Sequence, residues 1–280
     1  MDAKNEKIRA DRAVLSCGWL GTPLAAGWAA AGRRVNGATT NPDKLAGLAQ
    51  AGIRPFCLRM GSEGIIEGDD SFFNADVVVC CLPPGRMADD YPRLIGAVAA
   101  RVRAHGGKLI FTSTTGVYGS LTGTVDEDAA LPPEEDAALN AKRAAEDAVW
   151  AQLAGRATVL RLAGLAGPGR HPGRWLAGKE GLKGGEEPVN LIHLDDVTGV
   201  INAVVEREAW GRCFNVCADE HPRRADFYPA QAQALNLPPP VFSSELRGGG
   251  FLIGKIVNNT RVKTELGYRF RHPDPRSFIY

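Results

Sequence analysis

No stretch of the 280-residue chain stays apolar for the roughly 18 residues that a membrane-spanning helix needs. The opening segment, Met1 to Asp11, is charged and has no apolar h-region, so it is not expected to act as a secretory signal. Neither sign of charge is in excess. The 33 Lys and Arg residues face 32 Asp and Glu, which argues against a general nucleic-acid coat or an acidic interaction tail. There is no CxxC pair among the six cysteines, and Cys213-x3-Cys217 has no matching second pair, so no metal site is expected. Cys80 and Cys81 lie inside an apolar run and suit small buried hydrophobes. Six reduced thiols fit a cytoplasmic location. Internal repeats and low-complexity segments are also missing.

What is present is an ordinary globular composition, 44% hydrophobic and 23% charged. The first half alternates short apolar runs with helical stretches. Strands are expected at 13–17, 35–39, 53–58, 76–82, 108–112 and 157–162. Helices are expected at 20–31, 42–51, 89–105 and 140–153. Continuous apolar strands separated by helices predict a parallel sheet covered on both faces. Right-handed crossovers then give an α/β fold of the Rossmann type, doubly wound. After Leu162 the rhythm breaks. Residues 164–185 read as a glycine-rich loop, with further pieces near 195–206, 213–216 and 225–235. A triple proline at 238–240 and a triple glycine at 248–250 punctuate the tail. The expected organisation is a dinucleotide-binding domain at 1–163, which late strands rejoin, and an interleaved, smaller C-terminal substrate lobe at 164–280.

Ser16-Cys17-Gly18-Trp19-Leu20-Gly21 closes the first strand and opens the first helix. This is the GxGxxG phosphate turn with Ser16 in place of the first glycine. Gly18 would let backbone amides approach a pyrophosphate, and Gly21 would let the helix pack closely. The alternative is a βα turn that binds nothing. At the end of the second strand an NAD binder usually carries Asp or Glu. Here the stretch is Thr39-Thr40-Asn41, with Lys44 nearby and no acid before Asp43. Those donors favour NADP, with NAD possible. Asn41 also fits a plain helix cap ahead of Pro42. Leu82, Pro83, Pro84 and Arg86 follow the fourth strand and are expected to line the cofactor cleft.

Phe111-Thr112-Ser113-Thr114-Thr115-Gly116-Val117-Tyr118-Gly119 resembles the "SSxxVYG" segment of the extended short-chain dehydrogenases/reductases, the NAD-dependent epimerase/dehydratase family. Leu160 to Arg170 resembles that family's "LRxxxxYGPGR", and Asn190 to Val197 its "xxIHVDDV". Phe214-Asn215-Val216 and Glu265-Leu266-Gly267-Tyr268 resemble its "YNV" and "LGY". The resemblance covers nearly the whole chain and is strongest to the short, atypical members called nucleoside-diphosphate-sugar epimerases.

The resemblance implies a Tyr-x-x-x-Lys pair 25 to 30 residues beyond the strand Ser/Thr. Lys142 fits the lysine, which holds the nicotinamide ribose, but Ala138 stands where the proton-transferring Tyr belongs. Thr114 carries over as the hydroxyl that orients substrate, or is a strand-end hydroxyl bonded to backbone. Lys142 is otherwise a solvated helix lysine paired with Glu146. Tyr118 can substitute as the acid, or pack. His193 and Arg170 are the candidate substrate contacts; Asp195 or Asp196 is expected to cap the helix that follows His193. Two functions follow. One is an NAD(P)-dependent oxidoreductase or epimerase acting on a hydroxyl or keto group, in a small-molecule substrate such as a sugar nucleotide. The other is a non-catalytic NADP-binding sensor or scaffold. The partners expected are that substrate, no nucleic acid and no membrane, with the chain a monomer or homodimer.

Overall fold

A computed structural model describes residues 9–85, 90–133, 136–243 and 254–280. Arg86, the start of the helix expected at 89 and the triple glycine at 248–250 lie outside those residues. Strands β1 (Ala10–Leu15), β2 (Val35–Thr39), β3 (Arg54–Cys57), β6 (Ala75–Cys80), β7 (Lys108–Thr114), β9 (Ala157–Leu162) and β12 (Arg212–Val216) form one seven-stranded sheet, ordered β12-β9-β7-β6-β1-β2-β3. Its β3–β2–β1–β6–β7 pairings are parallel, with Leu15 opposite Ala38 on one side and Cys80 on the other. This is the Rossmann-type, doubly wound α/β fold. The chain reverses its direction of travel across the sheet between β1 and β6. The crevice outside the carboxyl ends of such strands is where ligands bind.

The strands are apolar on both faces because both faces are covered. Ala13, Leu15, Val78, Cys80, Leu109 and Phe111 pack in one cluster with helices α3 (Tyr91–Ala104) and α4 (Ala137–Leu153). The intervening Val14, Val77, Val79 and Ile110 point the other way and are equally buried. Helix α1 (Gly21–Ala30) lies against Val14 there. Helix α2 (Leu45–Gln50) follows a 3-10 turn at Pro42–Lys44. The helix expected at 42–51 is therefore two pieces: Pro42 opens the turn and Asn41 caps it. Helix α4 begins three residues earlier than expected, because the Asp136 carboxylate accepts the amides of Ala138 and Leu139.

A hairpin in the first unit escaped the sequence reading. Strands β4 (Arg59–Gly61) and β5 (Gly64–Glu67) form an antiparallel hairpin between β3 and β6. Its strands are too short for a periodic apolar signal; the turn falls at Ser62 and Glu63, and Gly64 opens β5 at φ +126°, which favours glycine.

The chain divides into two compact units: Met1–Ser113, Glu134–Leu160 and Glu208–Cys213 in the first, and Thr114–Pro133, Arg161–Arg207 and Phe214–Tyr280 in the second. The second unit holds two parallel pairs, β8 (Gly123–Val125) with β13 (Lys255–Val257), and β10 (Gly164–Ala166) with β11 (Leu191–His193). The stretch expected to be wholly loop from residue 164 thus starts as a strand. Its three residues pair with a segment more than twenty positions later, which local pattern cannot reveal. Helices α5 (Leu194–Glu206), α6 (Arg224–Gln233) and α7 (Thr260–Leu266) complete this unit. Asp196, fully buried, accepts the Tyr268 hydroxyl at 2.9 Å and the amides of Arg271 and His272 at 2.7 and 2.9 Å. A buried carboxylate with three donors is stabilised in place, so it fastens the C-terminal segment to α5.

Candidate functional site

The turn after β1 is built around Ser16, which adopts φ +76°, a left-handed conformation that favours glycine. The serine thus takes the backbone geometry its position in the phosphate motif demands. Its carbonyl accepts the Gly18 amide at 2.8 Å, and the Cys17 amide donates to Ala38 at 2.7 Å. A methyl on Gly21 would strike the Ser16 carbonyl and the Val14 side chain, so helix α1 can pack here only on glycine. A methyl on Gly18 would meet nothing within 4 Å. No side chain caps α1 at Leu20, which leaves the positive helix end to an incoming anion. The Cys17 thiol beside this turn is pushed up to about 11 by burial, and burial likewise pushes Cys80 up to about 12. Thiols so shifted are not reactive thiolates at neutral pH. All six cysteines are free.

A cavity of about 430 Å³ opens at this turn, within the first unit, in the size range of ligand sites. Ser16, Gly18, Thr39, Thr40, Asn41, Leu82, Pro83 and Pro84, all expected from sequence, line it together. Lys44 and Arg59 add two cations, and among the described residues no carboxylate lines the cavity. The Thr39 hydroxyl accepts the Asn41 amide at 3.2 Å, and the Asn41 side-chain oxygen accepts the Asp43 amide at 3.0 Å. That pins the turn on which an NAD binder would carry its acid. Arg59, Leu58 and Met60 were missed by the sequence reading. The signal available was the charged residue between two apolar ones just past the third strand. Trp19, Leu20 and Gly21 belong to the turn and the first turn of α1 but do not line the cavity.

Lys142 lies in α4, half-buried and with no ion pair among the described residues. Glu146, the expected partner, is instead 4% exposed and accepts the Ser113 hydroxyl at 2.6 Å. Ala138 is exposed in the first turn of α4, four residues before Lys142 and on the same helix face. In the second unit, the Thr114 side-chain oxygen accepts the Gly116 amide at 3.0 Å and caps a 3-10 turn. Tyr118 is fully buried. Its hydroxyl donates to Asn215 at 2.7 Å and accepts from Arg161 at 3.1 Å, and the Arg161 guanidinium lies over its ring. Arg170 is exposed, its amide closing a turn on Gly167 at 2.8 Å.

His193 is 2% exposed. Its Nδ1 accepts the Asp195 amide at 3.2 Å and its Nε2 donates to the Ile279 carbonyl at 2.8 Å. The cap of α5 is therefore His193 rather than Asp195 or Asp196. His193, Asp195 and His272 bring potential ligand atoms within 4.8 Å of one another. Both His193 nitrogens are nevertheless committed to backbone partners, which leaves neither free to ligate a metal.

The five tyrosines bear on proton transfer. Burial pushes the phenols of Tyr91, Tyr228, Tyr268 and Tyr280 upward, and both hydrogen-bonding roles of Tyr118 are taken. None is poised as an acid near neutral pH.

No helix among the described residues is long and apolar enough to cross a membrane. No protein-family model matches the chain. Protein YeeZ of Escherichia coli strain K12 is 39% identical over 272 residues, covering 94% of this chain and 96% of its own. Among solved structures, MoeE5 in complex with UDP-glucuronic acid and NAD superposes with a TM-score of 0.69 at 20% identity, over 93% of this chain and 94% of that one. Human epimerase family protein SDR39U1 with NADPH gives 0.65 at 19% identity, over 95% and 96%. The glycine turn and the sheet order give this chain the fold of the epimerases it superposes on, and a relative matched almost end to end shows its family: the chain belongs to the family of protein YeeZ.

Proposed function

We propose that the chain is an NADP-preferring oxidoreductase or epimerase acting on a hydroxyl or keto group, with a sugar nucleotide as the substrate class. The observation that carries this reading is the cavity over the phosphate turn, lined by Lys44 and Arg59 and, among the described residues, by no carboxylate. The bound dinucleotide would supply hydride acceptance and return. The rest falls to the chain itself. Gly18 and the uncapped start of α1 receive the pyrophosphate. Thr40, Asn41 and Lys44 face the adenosine ribose, where the absence of an acid removes the repulsion that a 2′-phosphate would meet in an NAD binder. Leu82, Pro83 and Pro84 wall the cleft. Lys142, with no ion pair among the described residues, holds the nicotinamide ribose. The Thr114 hydroxyl, whose proton has no acceptor among the described residues, orients the substrate oxygen.

Residues 1–163 are assigned to the cofactor and 164–280 to the substrate, with Arg170 the exposed cation for a substrate phosphate. Tyr118 and His193 are assigned structural roles on their burial. Two of the comparison structures support the small-molecule classes: one holds NAD with UDP-glucuronic acid, the other NADPH. The location proposed is cytoplasmic, as a monomer or homodimer.

A second reading is a sensor or scaffold that binds NADP without turnover. It is favoured by Ala138 on the first turn of α4 and by the absence of a poised tyrosine. The test is NADPH oxidation over a panel of carbonyl compounds and keto-sugar nucleotides, with Thr114→Val and Lys142→Met alongside wild type. Turnover that falls about 10- to 1,000-fold in either variant supports the enzyme. Tight NADPH binding with no turnover on any member supports the sensor.

A further inference from the structure

Strand β4 alternates about the wall of the cofactor cavity. Leu58 and Met60 are 3% and 8% exposed and join the core against α3. Arg59 between them points outward, its side chain 57% exposed, yet it lines the same cavity as Lys44 and Asn41. Two features fix its position. The Leu58 amide donates to the Thr39 carbonyl at 3.0 Å, which ties the chain leading into β4 to the end of β2. A register shift between Arg59 and Met60 bends the hairpin at this point, and bulges of this kind re-aim a side chain. Across the ladder Arg59 is opposite Glu67, and its guanidinium stands 3.8 Å from the carboxylate. That is beyond hydrogen-bond length, between two groups more than half exposed, where an ion pair contributes little.

We propose that Arg59 is the residue that selects a 2′-phosphorylated dinucleotide, and that Glu67 is a weak internal competitor which the phosphate displaces. The inference rests on the dinucleotide reading above. A ribose 2′-phosphate carries about 1.5 to 2 negative charges at neutral pH and offers the planar guanidinium a bidentate partner. The loosely held carboxylate of Glu67 offers one charge at longer range. Exchange therefore favours the phosphate, with Lys44 as a second point charge in the same cavity. An unphosphorylated ribose has nothing to displace Glu67, so Arg59 contributes nothing to NAD binding.

The test is calorimetric titration of the full chain with NADPH, NADH and adenosine 2′,5′-bisphosphate, in wild type, Arg59→Gln and Glu67→Gln. Both side chains are exposed, and unchanged melting temperatures would show that the fold is intact. Arg59→Gln is expected to weaken NADPH and the bisphosphate by about 10- to 100-fold and NADH by less than about twofold, consistent with loss of a charge-assisted pair. Glu67→Gln is expected to tighten NADPH by about two- to fivefold and leave NADH unchanged, an effect that fades with added salt. Equal losses for NADPH and NADH in Arg59→Gln, or none for either, would overturn the role of Arg59 while leaving dinucleotide binding intact. Wild type that binds neither cofactor would overturn both readings together.

Discussion

Ser16 holds a left-handed backbone, and its carbonyl takes the Gly18 amide at 2.8 Å, so a serine performs the turn that glycine performs in the phosphate motif. A non-glycine residue in that conformation is strained by about 1–2 kcal/mol. Ser16→Gly is expected to raise stability by about 0.5–1 kcal/mol, the strain relieved being partly offset by the freer unfolded chain. The midpoint of urea unfolding would report it. A destabilised variant would mean that the serine side chain contributes something the backbone does not.

The two motif glycines should separate cleanly. Gly18→Val projects into open space, so the protein should fold with a near-normal melting temperature and lose dinucleotide affinity by more than about tenfold. Gly21→Ala places a methyl against the Ser16 carbonyl and Val14, and is expected to cost about 1–3 kcal/mol of stability by overpacking. Thermal melts paired with cofactor titration would distinguish the two effects. A folded Gly18→Val that binds NADPH normally would move the pyrophosphate elsewhere.

Tyr118→Phe removes a hydroxyl that is bonded on both sides. It leaves Asn215 and Arg161 each short of a partner and is expected to cost about 1–3 kcal/mol. Cofactor affinity should not change. A stability loss with unaltered turnover per folded molecule fits the structural role. Loss of turnover without loss of stability would make Tyr118 the acid.

Burial pushes the His221 imidazole down, its Nδ1 buried with no hydrogen-bond partner among the described residues, and burial also lowers His171. Above about pH 6.5 both imidazoles are neutral folded or unfolded and contribute no pH dependence. As the pH falls below that value, the unfolded chain takes up protons that the folded chain resists, so stability declines. Urea midpoints between pH 8 and pH 5 should fall on the acid side, and His221→Gln should flatten the slope. An unchanged slope would place the acid sensitivity in other groups.

Much of the first unit was legible because its signals are local. Val77, Val78 and Val79 are apolar on successive positions, which only a strand covered on both faces tolerates. Ser16 to Gly21 carries its turn in its own residues. What escaped depends on partners far away in sequence. Arg59 entered the cavity through a hairpin of three- and four-residue strands. The sequence offered Lys142 and Glu146 at ion-pair spacing, but Glu146 turned to Ser113, 33 positions earlier. Tyr118 was legible as a choice between acid and packing, and a bond to Asn215, 97 positions later, weights it toward packing. The lobe after Leu162 was the least legible, since β10 pairs with β11 across a glycine-rich stretch.

The most direct measurement of the central claim is isothermal titration of the purified wild-type chain with NADPH and NADH at low ionic strength. The account predicts saturable one-to-one binding of NADPH, at least about tenfold tighter than NADH, as expected for a cavity whose described lining has two cations and no carboxylate. Binding of NADH as tight as or tighter than NADPH would contradict the cofactor preference. No binding of either at millimolar concentration would contradict the assignment of the cavity itself.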